Sequence, residues 1–355
     1  MGAPNHRLLA GSPIEVVDSR TLFRGPAISQ RNMGSLARLD DGQLLLAFRQ
    51  GTGPVRRNDG VVVLSRSDDD GETWSQPVPL YAQPGWDCLP MGGLARLGDD
   101  PIRLVVGRIK LDFALGGPEP VADWYVCSLA SRDGGRTWSE PGPEIRLFPC
   151  WTELYGASNP HPLADGRYLW ACMGTLGRDT GWRAGVTFTG PGGDDFAPPT
   201  IIAAASDRDF ADLDVVRLAD GRFLAVIREF VTGESVFAHS RDEGRTWRPI
   251  CPTGFKGANI KLHRLRSGTI LCAYREGDAA RPGVGCSVSD DGGETWRYIG
   301  RLYDAGADRT DVPGSPCGYP DLVSLGDGRL LCVLHTYPDV DGRVDLHLLR
   351  LEDRS

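Results

Sequence analysis

The sequence has no long apolar run, and no stretch approaches the ~18 apolar residues of a membrane-spanning helix. Its opening, MGAPNHRLLAGSPIEVV, lacks the basic head and apolar core of a secretory leader. His6 stands where a myristoylation signal wants Ser or Thr. A cytoplasmic chain with no membrane partner is therefore expected. Basic charge is in deficit: 39 Lys and Arg face 47 Asp and Glu, for a formal net charge of −8. That excludes generic nucleic-acid binding. Lysine occurs only at 110, 256 and 261, a usage that fits a GC-rich bacterial genome. Paired cysteines are missing too. The nine cysteines are odd in number and none has zinc-site spacing. Most lie in apolar runs, such as Cys172 in LWACMG, Cys272 in ILCAYR and Cys332 in LLCVLH, so buried free thiols are expected. No cofactor or metal is called for.

What is present in excess is turn chemistry. Gly 46 and Pro 26 favour short strands over long helices, and 41% hydrophobic residues suffice for a sizeable core. One eight-residue frame, S-x-D-x-G-x-T-W, occurs as SDDDGETW at 67–74, SRDGGRTW at 131–138, SRDEGRTW at 240–247 and SDDGGETW at 289–296. Its Asp can accept hydrogen bonds from its own turn, its Gly supplies a backbone angle that other residues resist, and its Trp is expected to pack against the next blade. Calcium binding is disfavoured, because the frame lacks the further carboxylates of a calcium loop.

A second repeat alternates with the first: apolar strand, tight turn, apolar strand. Its copies include SLARLDDGQLLLAF, LDVVRLADGRFLAVI and PDLVSLGDGRLLCVL, and its turn glycines fall at 42, 98, 166, 221, 268 and 328. Asp-Gly is the signal of a two-residue hairpin turn in which both central residues have positive φ. Between 138 and 247 a degraded frame, TGPGGDDF (189–196), keeps Gly193 and an aromatic, Phe196. The unit is four strands long and repeats six times, which predicts an all-β fold: a six-bladed β-propeller of four-stranded antiparallel blades, one domain over 1–355. The strand IEVVDSRTLF (14–23) is expected to close the ring with the C-terminal blade. The segment 111–124 is expected to be a surface loop between strands of the second blade.

In a propeller the first strand of each blade starts, and the second ends, on the face where function gathers. Before the first strands stand Arg31, Asp87, Glu153, Asp212, Asn259 and Tyr319. After the second stand Arg49, Arg108, Arg228, Glu229, Arg275, Glu276 and His335. Arginines gathered in an acidic protein suggest an anionic small ligand, most simply a carboxylate.

The repeated frame resembles the Asp-box, or BNR repeat, of the sialidase (neuraminidase) superfamily, and the likeness covers nearly the whole chain. The resemblance implies roles residue by residue. QRNMGSLARLDDGQLLLAF makes Arg31 the first of an arginine triad, although the family's Ile-Pro is absent. The loop RQGTGPVRRNDGVVVL offers Asp59 as general acid, and DLDVVRLADGRFLAVIR puts Asp212 at a Glu position and Arg228 at an Arg position. RPGVGCSVS places Arg281 as the third arginine, and CGYPDLVSL places Tyr319 as nucleophile, with His335 where the family has Glu. Arg49 and His335 complete the expected substrate-binding set. The anomeric carbon of a sialic acid bears a carboxylate, so a neutral tyrosine is a better nucleophile than a carboxylate there. The resemblance thus implies an exo-glycosidase acting on a terminal acidic 2-keto sugar. A lyase or hydrolase acting on uronic-acid glycans, and a non-catalytic glycan-binding propeller, are the alternatives. Oligomeric state, linkage and aglycone are not legible in the sequence.

Overall fold

The computed structural model describes residues 7–24, 35–52, 57–99, 101–115, 121–154, 159–177, 180–276, 282–305, 317–336 and 344–355. Six antiparallel sheets follow one another along the chain as the blades of a propeller. Blade 1 comprises Ser35–Arg38, Leu44–Gln50, Val61–Ser67 and Val78–Tyr81. Blade 2 has Asp87–Arg96, Ile102–Leu111 and Val121–Ser131. The inner edge of blade 3 is split: Trp151–Leu154 and His161–Pro162 both pair with Tyr168–Thr175, and Arg183–Thr189 and Thr200–Ala203 lie outside. Blade 4 comprises Phe210–Arg217, Phe223–Glu229, Ser235–Ser240 and Cys251–Pro252. Blade 5 comprises Gly257–Arg264, Ile270–Glu276, Gly283–Ser289 and Arg297–Asp304, with Arg7–Leu8 added at its edge. Blade 6 has Cys317–Gly326, Arg329–Thr336 and Asp345–Asp353, and Ile14–Phe23 pairs with the last of these to close the ring. Among the described residues there is no α-helix, and no helix is long and apolar enough to cross a membrane.

The middle of each blade's second strand is apolar because both its faces are covered. In blade 1, Leu44, Leu46 and Phe48 pack against Leu331 and Val333 of blade 6, whereas Leu45 and Ala47 pack against Leu104 and Val106 of blade 2. Period-two alternation therefore divides one strand between two neighbours. Similar layers lie between blades 4 and 5 and between blades 5 and 6. Seven of the nine cysteines are buried, and all nine are free thiols.

The hairpins differ from expectation in turn type. Among the fully described hairpins only that of blade 6 has the two-residue form, with Asp327 and Gly328 both at positive φ between the paired residues Gly326 and Arg329. In blades 1, 3, 4 and 5 the glycine alone is left-handed. Gly42 donates to Leu39 O while Leu39 donates to Gln43 O, and Leu163, Leu218 and Leu265 repeat the pattern. That is the three-residue loop, a type I turn closed by a left-handed glycine.

The Asp-boxes are alike to within a few tenths of an ångström. In the first, Thr73 Oγ1 donates to Asp69 Oδ2 (2.6 Å), Gly71 N to Ser67 Oγ (2.8 Å) and Trp74 Nε1 to Gly71 O (3.1 Å). These donors hold the box carboxylates below the usual range, to about 2 at Asp69 and Asp291. At Asp69 the Thr73 hydroxyl is the largest influence; at Asp291 partial burial pushes upward and the donors outweigh it. Each box seats on the preceding blade, not the next. A methyl on Gly71 would strike Leu331 of blade 6, on Gly135 Leu45 of blade 1, on Gly244 Leu169 of blade 3 and on Gly293 Leu224 of blade 4. The degraded frame does the same, with Gly193 at φ 71 against Leu97 of blade 2 and Phe196 beside Trp170.

Burial also sets a pH limit on the fold. It lowers the pKa of His161, His263 and His347 to about 4 and of His335 to about 3. Because these values lie below the unfolded ~6.5, unfolding takes up protons in acid. The stabilisation is whole above about pH 6.5 and is lost as pH falls toward about 4, each histidine contributing up to ~1.4 kcal/mol per pH unit. Urea melts should show a midpoint that drops steeply through this window, whereas a flat midpoint would contradict the assignment.

Candidate active site

Three consecutive blades share one irregularity. The inner strands of blades 4, 5 and 6 slip register between Ala211 and Asp214, between Ala258 and Lys261, and between Gly318 and Asp321. Each slip inserts one extra residue, a β-bulge. The bulges hold Asp212, Asn259 and Tyr319 in the left-handed region, at φ 48, 52 and 51. Asp and Asn tolerate that conformation; a tyrosine does so at a cost of about 1–3 kcal/mol, and only where its surroundings enforce it. Opposite the bulges, on the second strands, stand Arg228, Arg275 and His335.

These residues form one connected cluster. Arg228 Nη1 lies 2.9 Å from Asp212 Oδ2, and the Arg228 guanidinium sits 3.8 Å from the Phe230 ring centre. Asn259 donates to Asp212 Oδ2 from both its backbone N and its Nδ2, each at 3.4 Å. A methyl on Gly318 would come within 3.0 Å of Asn259 Oδ1, 3.3 Å of Arg275 Cδ and 3.5 Å of His335 Cε1, so blades 5 and 6 converge there. The Tyr319 and His335 rings are 5.5 Å apart and tilted by 37°. Burial, aided by Arg275, pushes the His335 pKa down to about 3, so the imidazole is neutral at physiological pH. Tyr319 is half-buried and packs against the apolar cluster of blades 2 to 4, which includes Met91, Met173 and Ala211. Its ring therefore reaches across the channel.

Two residues farther along the same strands lies a charged floor. Lys261 Nζ is 2.9 Å from Asp321 Oδ1, and both side chains are buried. Asp321 Oδ2 accepts from Leu36 N of blade 1 and Asp214 Oδ2 from Leu262 N of blade 5, each at 2.7 Å. Burial alone would lower the Lys261 pKa, but the Asp321 and Asp214 carboxylates more than offset it and raise it. The two aspartates thus tie neighbouring blades together, and the lysine offsets part of their charge.

A second group stands where blades 1 and 2 meet. Arg49 is wholly buried, its Nε bonded to Asp87 Oδ1 at 2.5 Å and its Nη2 lying 3.6 Å from Asp59 Oδ1. Asp59 also accepts from Thr52 N at 3.3 Å. Gly60 permits this packing, since a methyl there would lie 2.0 Å from Asp87 Oδ1 and 2.6 Å from Arg49 Nε. Of the residues singled out from the sequence, the structure brings Asp212, Arg228, Tyr319 and His335 into one cluster and Asp59 and Arg49 into another. Arg31 and Arg281 lie outside the described residues.

The sequence profile of the BNR repeat-like domain matches residues 113–332. The chain belongs to that family. No curated protein matches it in sequence. Among solved structures, this BNR repeat-like protein is similar to a Dyadobacter fermentans protein of unknown function: 21% identity and a TM-score of 0.77, over 96% of this chain and 100% of that one. It also resembles a Hadza microbial sialidase, with 18% identity and a TM-score of 0.66, over 90% of this chain and 65% of the sialidase. A Penicillium chrysogenum alpha-L-arabinanase complexed with arabinobiose gives 16% identity and a TM-score of 0.66, over 94% and 98%. At these identities the fold is what is shared.

In the sequence of this BNR repeat-like chain Asn259 stands on the functional face without an assigned role, and Lys261, Asp214 and Asp321 are not among the expected site residues. The signal was present in its hairpins. Polar residues two apart open three successive inner strands, as 212 and 214, 259 and 261, and 319 and 321.

Proposed function

We infer that the protein is a glycoside hydrolase of the sialidase type, acting on a terminal acidic 2-keto sugar. The observation that carries this reading is the strained, left-handed Tyr319, grouped with Asp212 and Arg228 and reaching across the channel. Strain of this kind persists where surrounding structure enforces it, and it clusters at active sites. In the proposed reaction the Tyr319 oxygen bonds to the anomeric carbon as the aglycone oxygen leaves. Asp212 takes the phenolic proton and Asp59 supplies one to the leaving oxygen. Water then displaces the tyrosine, so configuration is retained overall. Arg228, with Arg31 and Arg281, holds the sugar carboxylate. Buried Arg49 fixes Asp59.

A fluorogenic sialoside, with 2-keto acid analogues beside it, tests this reading: released fluorophore supports it, and no turnover across the set sinks it. The contact between Tyr319 and a neutral His335 favours a second reading, β-elimination from a uronate. Unsaturated uronate, detected by its ultraviolet absorbance on uronate glycans, would identify that chemistry instead.

A further inference from the structure

We propose that Asn259 reads the bound sugar: its carboxamide oxygen accepts a hydrogen bond from a neutral donor of the ligand, a hydroxyl or an amide N–H, while its nitrogen holds Asp212. This rests on the reading of the cluster as an acidic-sugar site. Asn259 stands in blade 5 between Asp212 of blade 4 and Tyr319 of blade 6, at the equivalent bulge position. It is 1% exposed, yet its Oδ1 has no hydrogen-bond partner among the described residues. Leaving a buried acceptor unpaired is unfavourable, and such groups point to a missing partner. The amide orientation is fixed by its neighbour, since turning it over would set Oδ1 against the Asp212 carboxylate. Gly318 of blade 6 packs beside Oδ1, and a methyl there would lie 3.0 Å from it, so any larger residue at 318 would press on this oxygen. The nearby Arg228 and Arg275 are donors only, so they suit a carboxylate. Asn259 adds an acceptor, which suits a donor elsewhere on the same sugar.

The simpler explanation is that asparagine is present for its tolerance of positive φ. Glycine meets that need equally well. Asn259→Gly therefore keeps the backbone and removes only the amide. Binding of N-acetylneuraminic acid and of glucuronic acid would be measured by calorimetry on the wild type and this variant. Monodeoxy analogues of whichever sugar binds would follow. The variant should lose about tenfold in affinity, and one analogue should be weak on the wild type yet no weaker than its parent on the variant. Parent affinity unchanged in the variant, or every analogue losing equally on both proteins, overturns the inference and leaves the acidic-sugar reading standing. Neither acid binding the wild type overturns both. Should the glycine variant fail to fold, Asn259→Asp keeps an acceptor and tolerates the same φ. The same analogue should remain weaker than its parent on it, and equal binding overturns the inference.

Discussion

Replacing Lys261 with methionine is expected to destabilise the propeller by about 3–5 kcal/mol, the usual result of removing one partner from a buried ion pair. The substitution keeps the length and apolar stem of the side chain and removes only the charge. It removes the cation that lies 2.9 Å from Asp321 and whose charge also acts on Asp214. Each aspartate would still accept backbone N–H groups, Asp214 from Val215 and Leu262, Asp321 from Leu36 and Leu322. Those bonds are the reason for expecting a loss within this range rather than complete unfolding. Loss of the positive charge that acts on both carboxylates is also expected to make the variant more stable in mild acid relative to neutral pH, since protonation removes the charge the lysine offset. Adding Asp321→Asn should recover part of the loss. Denaturant unfolding of the three proteins measures this directly. A single variant within about 0.5 kcal/mol of wild type, the scatter of ordinary surface changes, would show that the triad does not hold the blades together.

Tyr319→Phe is expected to reduce turnover of an acidic 2-keto glycoside by at least on the order of a thousandfold, as removal of a nucleophile does. The fold should survive. Phenylalanine retains the ring that packs on the cluster containing Met91, Met173 and Ala211, and the ring contact with His335 at 5.5 Å. Affinity for the sugar should change little, because Arg228 and Asn259 are untouched, so the loss falls on kcat. Retained turnover would remove Tyr319 from the chemistry and move attention to Asp59 and the buried Arg49 beside it.

The sequence made the architecture readable because each repeat carries its own geometry. Box glycines at 71, 135, 244 and 293 stand at φ 80, 78, 84 and 96, and Ile14–Phe23 pairs with the last strand, as the hairpin count required. Other features depended on what local pattern does not encode. Which blade a box Trp packs against is set by the closed ring, and nothing within eight residues specifies it. Blade 2 has no fourth strand among the described residues; after its box come Pro141 and Pro143, which cannot donate to a ladder. The edge strand Arg7–Leu8 is too short to show alternation. The bulges mattered most for the site. One inserted residue shifts the register without changing the apolar character of the strand, so Asp212, Asn259 and Tyr319 read as strand starts. Their shared bulge and left-handed backbone appear only when the pairing is known.

The proposed chemistry turns on a covalent bond between Tyr319 and the sugar. A 2-keto sugar fluorinated next to the anomeric centre, with a good leaving group, should form the glycosyl-enzyme and release it slowly. Intact mass spectrometry followed by peptide mapping would then read the site of attachment. One added sugar on the peptide containing Tyr319, absent from Tyr319→Phe, is the predicted result. Turnover of the parent glycoside with the label on another residue, or with no label at all, would contradict it.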